Sequence, residues 1–175
     1  MFGKNLHFIN LSTTRTFFIA KGSYFDVECR DAKTGDGAFL SISEKTNGKG
    51  IEELPSSFFL DQLFAKTGRF SFYGSPTNIK VKKSQVVGNN RVIEFSFANL
   101  SQSTNAEIPR TGIMVATKPE NSDQVVMLVG SATSNRWKKG SDKAVMDTIA
   151  SFNASPSPKS AMKVRRTVKY SDDFM

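Results

Sequence analysis

Hydrolysis by a side-chain nucleophile needs a serine or cysteine beside a base, usually histidine. This 175-residue sequence holds one cysteine, Cys29, and one histidine, His7, and no pattern brings them together. A lone cysteine in a strand-like segment reads as a small buried hydrophobe, and His7 as a structural or surface residue. One cysteine also excludes an internal disulfide and any zinc site built on several thiolates. No glycine-rich loop ends in Gly-Lys-Ser/Thr, and Lys33-Thr34-Gly35-Asp36-Gly37 reads simply as a turn. The paired acids Glu52-Glu53 and Asp172-Asp173 are adjacent in sequence, so their side chains diverge and read as solvated charges. Asn-x-Ser triplets at Asn10, Asn99 and Asn153 are short enough to recur by chance. These residue types offer no catalytic set, no cofactor site and no metal site. The sequence reads as non-enzymatic.

What remains is charge. Twenty-four Lys+Arg against sixteen Asp+Glu leave a formal charge of +8. Lys80, Lys82, Lys83 and Arg91 gather on one predicted hairpin, while Arg136, Lys138, Lys139 and Lys143 flank Trp137, the only tryptophan. A third group, Lys163, Arg165, Arg166 and Lys169, lies near the C-terminus. Each cluster suits a solvated face, a nucleic-acid surface or a docking surface for an acidic protein. Against nucleic acid, there is no basic-Gly-aromatic-Gly run and no Gly-x-x-Gly loop beside a helix.

The elements that must position these charges follow from periodicity. Strands are expected at 23–30 and 38–43, separated by the Lys33–Gly37 turn. From Ile51 to Lys66 the spacing of Leu60, Leu63 and Phe64 predicts a helix, with Pro55 in its first turn and Ser56 or Ser57 as cap. Strands at 79–87 and 91–98 form a hairpin around Gly88-Asn89-Asn90. In the second of them Val92, Glu94 and Ser96 face away from Ile93, Phe95 and Phe97. Strands at 110–117 and 124–131 follow; Val125–Val129 is apolar on both faces, which fits a central strand covered on both sides. A helix over 141–152 presents Ala144, Val145, Met146, Ile149 and Phe152, with Ser141 as N-cap and Asp142 near its positive end.

No apolar run is long enough to cross a bilayer as a helix. Residues 1–23 carry Lys4, Arg15 and Lys21 without an acid, a composition that suits a targeting remnant, although short strand patterns there favour a structured segment. Residues 153–160 form a Ser/Pro linker and 161–175 a basic tail, giving one domain over 1–152. The order of elements describes an α+β domain around a mainly antiparallel sheet.

Several segments, taken in order, carry a resemblance. These are Phe25-Asp-Val-Glu-Cys-Arg-Asp31, Phe39–Ile42, Ile51–Leu54, Arg91–Phe97, Arg110–Ala116, Val126–Lys139 with its Arg136-Trp137 pair, and the helix end Ala150-Ser-Phe152. Together they resemble the PsbP family, extrinsic luminal proteins of the oxygenic photosynthetic apparatus. The resemblance implies an α/β/α sandwich with a central antiparallel sheet and a chloroplast thylakoid-lumen location, peripheral to the membrane. It implies membrane-embedded photosystem subunits and other extrinsic luminal proteins as partners, with no nucleic acid. The best-known members dock on photosystem II, support oxygen evolution and help retain calcium and chloride. Others assist photosystem I assembly or belong to the chloroplast dehydrogenase complex. Docking in the family relies on basic side chains, which suits Lys80, Lys82, Lys83, Lys138, Lys139 and Lys143, while the basic tail after Ser160 has no family counterpart and reads as an arm toward a neighbouring subunit. Calcium binding is a family expectation that no residue of this sequence carries, and no Trp precedes Trp137.

Overall fold

A computed structural model describes residues 18–20, 27–31, 34–71, 74–101 and 104–154. Seven strands occur within them: β1 (Phe18–Ala20), β2 (Val27–Arg30), β3 (Gly37–Lys45), β4 (Thr77–Val87), β5 (Asn90–Leu100), β6 (Glu107–Thr117) and β7 (Gln124–Thr133). Three helical segments accompany them: α1 (Ser56–Phe64), the single turn α2 (Ser134–Arg136) and α3 (Asp142–Ala150). The strands form one sheet in the order β1-β2-β3-β7-β6-β5-β4, and every neighbouring pair is antiparallel. The targeting-or-strand reading of 1–23 falls almost wholly outside the described residues, as do the tail at 161–175 and most of the 153–160 linker.

Each face of the sheet carries its own core. On one side Phe39, Ile93, Phe95, Phe97, Met114, Met127 and Val129 pack against Phe59, Leu60 and Leu63 of α1 and against Phe70. On the other, Ala38, Leu40, Ile113, Val115, Val126 and Leu128 pack against Val145 and Ile149 of α3, and against Phe152. The chain is therefore an α/β/α sandwich. β7 lies between β3 and β6 and is buried from Val125 to Ala132, as an apolar run covered on both faces requires.

Two short approaches hold the layers together. Gly112 and Gly130 sit on neighbouring central strands, with Gly112 opposite Ser131 and Ile113 opposite Gly130. A Cβ on Gly112 would lie 2.7 Å from the Phe95 ring on the α1 side, and one on Gly130 would lie 2.5 Å from Val145 Cγ1 on the α3 side. The missing side chains let an aromatic ring and a helix settle directly on the sheet.

Several expectations change in detail. The first helix begins at Ser56, not Ile51, because Pro55 is held at ψ 157° and the chain before it runs as turns that still bury Ile51 and Leu54. Neither serine caps it; Ser56 Oγ instead donates to Ser84 Oγ on β4 at 3.1 Å. Ser141 is already helical (φ −68°, ψ −24°) and gives no side-chain cap to α3. Met146 is 39% exposed and falls outside the buried face of that helix. Asn90 belongs to β5, so the β4–β5 hairpin closes through Gly88-Asn89 alone.

At the same strand end, between β3 and β7, Asp123 Oδ1 accepts from Thr46 Oγ1 at 2.8 Å and from the Gly48 amide at 3.0 Å. These bonds, the Gly48 amide foremost, hold its carboxyl below the usual carboxylate range. A folded-state pKa below the unfolded value adds stability above the unfolded pKa and loses it as pH falls through the folded one. Asp123→Asn is therefore expected to melt below the wild-type protein at neutral pH, with the gap closing in acid. Thermal melts across a pH series check this; a gap constant with pH would contradict it. Gly130→Ala should cost about 1–3 kcal/mol by overpacking. Combined with Val145→Ala in urea titrations, it should cost clearly less than the sum of the two single changes. Strict additivity would show that the close approach does not matter.

Candidate docking groove

Among the described residues β4 is an edge strand beside β5, and its pairing with β5 breaks twice, between Thr77 and Lys80 and between Val81 and Lys83. At the first break Asn78 takes φ +53°, a left-handed conformation that asparagine tolerates. At the second, Lys82 is the extra residue. Strict alternation would put Lys82 and Lys83 on opposite faces. The register instead sets Lys80 opposite Ser96 and Lys83 opposite Glu94, both on the α3 side, and Lys82 Nζ reaches Thr111 Oγ1 of β6 at 3.4 Å. The bulge thus gathers three lysines on one side of the sheet edge. Ile79 and Val81, which alternate with Lys80 and Lys82 in the sequence, are 42% and 45% exposed, because α1 stops short of this edge.

The facing wall is built by α2 and the widened turn Trp137–Ser141, which ends where Gly140 adopts φ +103°. Asp36, buried in the turn before β3, holds this wall. Its carboxylate accepts from the Thr133 amide at 3.4 Å, from Arg136 Nε at 2.5 Å and from Ser141 Oγ at 3.3 Å. Three donors from both ends of the segment converge on one acid, so the Asp36–Arg136 ion pair fixes where Trp137 and Lys138 stand. The bond to Asp36 raises the Arg136 pKa further.

Between the walls lies a groove of about 410 Å³, lined by Lys80, Lys82 and Ser96, by Pro109 and Thr111, and by Ser134, Trp137 and Lys138. Phe97, Ala98 and Arg110 contribute to its floor, and Asn78 and Glu107 complete it. Glu107 is the single carboxylate of the lining, and it already accepts from Thr77 Oγ1 at 2.7 Å and from Asn78 Nδ2 at 3.4 Å. The groove is basic, with one aromatic wall.

Of the residues expected to bind partners, the structure brings Lys80, Lys82 and Lys138 together here. Lys83 stands on the same face, and Lys139 and Lys143 are exposed beyond the lining. Arg91 leaves the cluster: it pairs with Ala116 on the α1 side and its Nε donates to Ser84 Oγ at 3.0 Å. Arg136 serves the ion pair to Asp36. Lys163, Arg165, Arg166 and Lys169 lie outside the described residues.

Asp36, Ser96, Thr111 and Ser134 were not singled out from sequence. Asp36 lies in the Lys33–Gly37 turn, and the sequence signal for its role is an acid in a turn directly before a buried strand. Arg110, expected only as a strand residue, is half-buried. It donates to Gly35 O at 3.2 Å and to Ser131 Oγ at 3.2 Å, while its Nε is buried without a partner. Burial lowers its pKa. Glu28 is held by an ion pair from Arg69 on the α1 side of the sheet.

Chemistry by a thiolate is not prepared here. Burial, and then the neighbouring Glu28 charge, push the Cys29 thiol up, the reverse of an activated nucleophile. Among the described residues no three His, Cys, Asp or Glu side chains gather as metal ligands, and no helix is long and apolar enough to cross a membrane.

No family model matches the chain, and no curated protein does. Among solved structures it is similar to cyanobacterial PsbP (CyanoP) from Synechocystis sp. PCC 6803, with a TM-score of 0.53 and 16% identity over 87% of this chain and 94% of that one. LpqN of Mycobacterium tuberculosis, described as involved in cell envelope biogenesis, reaches a TM-score of 0.48 at 11% identity, over 88% of this chain and 87% of its own. A doubly covered antiparallel sheet with one helix layer on each face defines the class. Within it, the fold is PsbP-like.

Replacing Asp36 with alanine should cost about 1–3 kcal/mol, the range for losing hydrogen bonds to a charged group. It should also shift Trp137 emission to the red as the wall loosens. Denaturant unfolding followed by fluorescence checks both, and an unchanged spectrum in the folded variant would remove Asp36 as the anchor of that wall.

Proposed function

We propose that this chain is a PsbP-domain protein that works by position and catalyses no reaction. It acts as a peripheral subunit on the luminal side of the thylakoid membrane. It docks electrostatically on a photosystem, photosystem II in the first instance, and supports oxygen evolution by stabilising that complex. The observation that carries this reading is the PsbP-like fold, shared with cyanobacterial PsbP over most of both chains. The lysine-rich edge supplies the physical means, because exposed cations opposite an acidic surface speed encounter and fix register. Lys80, Lys82, Lys83, Lys138, Lys139 and Lys143 are the contacts within the folded part. Lys163, Arg165, Arg166 and Lys169 form an arm toward a neighbouring subunit.

Charge-driven docking weakens as salt shortens the screening length to about 3 Å at 1 M. Thylakoid membranes washed at low salt should retain the protein, and a wash at about 1 M salt should release it. Immunodetection on purified photosystem particles gives its stoichiometry. One copy per photosystem II supports a resident subunit, whereas a trace amount confined to immature particles supports an assembly factor for photosystem I or for the chloroplast dehydrogenase complex. Full retention at high salt would contradict electrostatic docking.

A further inference from the structure

The groove differs from a generally basic surface in three ways. Its cations come from two elements far apart in sequence, Lys80 and Lys82 from β4 and Lys138 from the turn after α2, and they face one another across a concave floor. Its own carboxylate, Glu107, is already held by Thr77 and Asn78. Its wall includes the half-buried Trp137. A volume of about 410 Å³ lies within the usual span of ligand-binding clefts, roughly 300–1,000 Å³.

Such a site favours an occupant with separated negative charges and an apolar group between them. A phosphate alone would meet the lysines and leave the tryptophan wall unused. We propose that the groove is a receptor for an extended acidic segment of a partner protein. In that arrangement carboxylates pair with Lys80, Lys82 and Lys138 and an apolar side chain packs on Trp137, above the Thr111 and Ser134 hydroxyls, which bond each other at 3.3 Å. Charge complementarity and the aromatic wall together select this occupant. The inference deepens the docking reading by naming the site and the partner's chemistry, and it rests on that reading for its biological setting.

Because Trp137 is the only tryptophan, its fluorescence reports the groove directly. Titration of the full chain with a synthetic Glu-Glu-Leu-Glu-Glu peptide at low salt should shift Trp137 emission saturably, and a Lys-Lys-Leu-Lys-Lys peptide should leave it unchanged. The double reversal Lys80→Glu with Lys82→Glu should weaken binding at least about 10-fold. Lys49→Glu with Lys66→Glu, the same change in net charge at exposed residues away from the groove and the docking lysines, should weaken it less than about 3-fold. Circular dichroism verifies folding, and Trp137→Phe read by calorimetry should bind more weakly than wild type while keeping the fold. Equal losses for the two reversals would reduce the effect to net charge and overturn the proposal. Stronger binding of inorganic phosphate, an oligonucleotide or anionic vesicles than of the peptide would also overturn it. Photosystem association that survives the Lys80/Lys82 reversal while peptide binding is lost would remove the groove from docking and leave docking itself standing. Peptide binding without photosystem association would support the groove and sink the photosystem reading.

Discussion

Two helices of nine residues must cover a sheet of seven strands, and they are too short to do it. Each is about 13–14 Å long, whereas seven strands spaced by about 4.8 Å spread over nearly 29 Å. Cover is therefore concentrated on the middle of the sheet and runs out toward β4. α1 is helped by the turns at Ile51–Leu54 and by Phe70, so its layer reaches β5 through Ile93, Phe95 and Phe97. The layer built on α3 is centred on β3, β7 and β6, and past its edge that face becomes Thr111 of β6 and Glu94 and Ser96 of β5. The groove is what remains where the second layer stops.

The same shortage explains what could be read in the sequence. Apolar alternation records how many faces of a strand are covered. β7 is apolar on both faces and buried on both, and β5 is apolar on one and half-covered. β4 alternates lysine with isoleucine and valine and is exposed throughout apart from Ser84. The first two were legible because tertiary cover and local pattern agree. In β4 the apolar positions promised a buried face that the layer on the α1 side does not reach, so Ile79 and Val81 remain at the surface. Helix starts were misplaced for a related reason: Ile51 and Leu54 satisfy a helical spacing while burying themselves from turns.

The site was legible in its charges and illegible in its assembly. Lys80, Lys82 and Lys138 stood out as residue types, but their meeting depends on a bulge that adds one residue to β4 and on an acid about a hundred positions before Arg136. A bulge leaves only a weak sequence mark, here Asn78 and a Lys-Lys pair where alternation should hold. Asp36 carries a long-range role in a segment whose composition already explained itself as a turn. Conversely, Arg91 looked like part of the cluster until the register placed it opposite Ala116, on the far face.

The basic residues also divide by type. Arg69, Arg91, Arg110 and Arg136 are each committed to acceptors within the fold: Glu28, Ser84, the Gly35 and Ser131 oxygens, and Asp36. Guanidinium groups suit that work, since their planar donors are directional and weakly hydrated. The exposed positive charge at β4 and after Trp137 is all lysine, a compact, strongly hydrated cation on a flexible stem. Lysine gives up directional pairing but keeps its water and its reach, so it favours fast, salt-sensitive encounter over a locked contact. Arg136, through Asp36, and Arg110, in the lining, therefore help to shape the groove, and lysine lends it charge. An acidic partner would be steered by that lysine charge and positioned by the fit against Trp137.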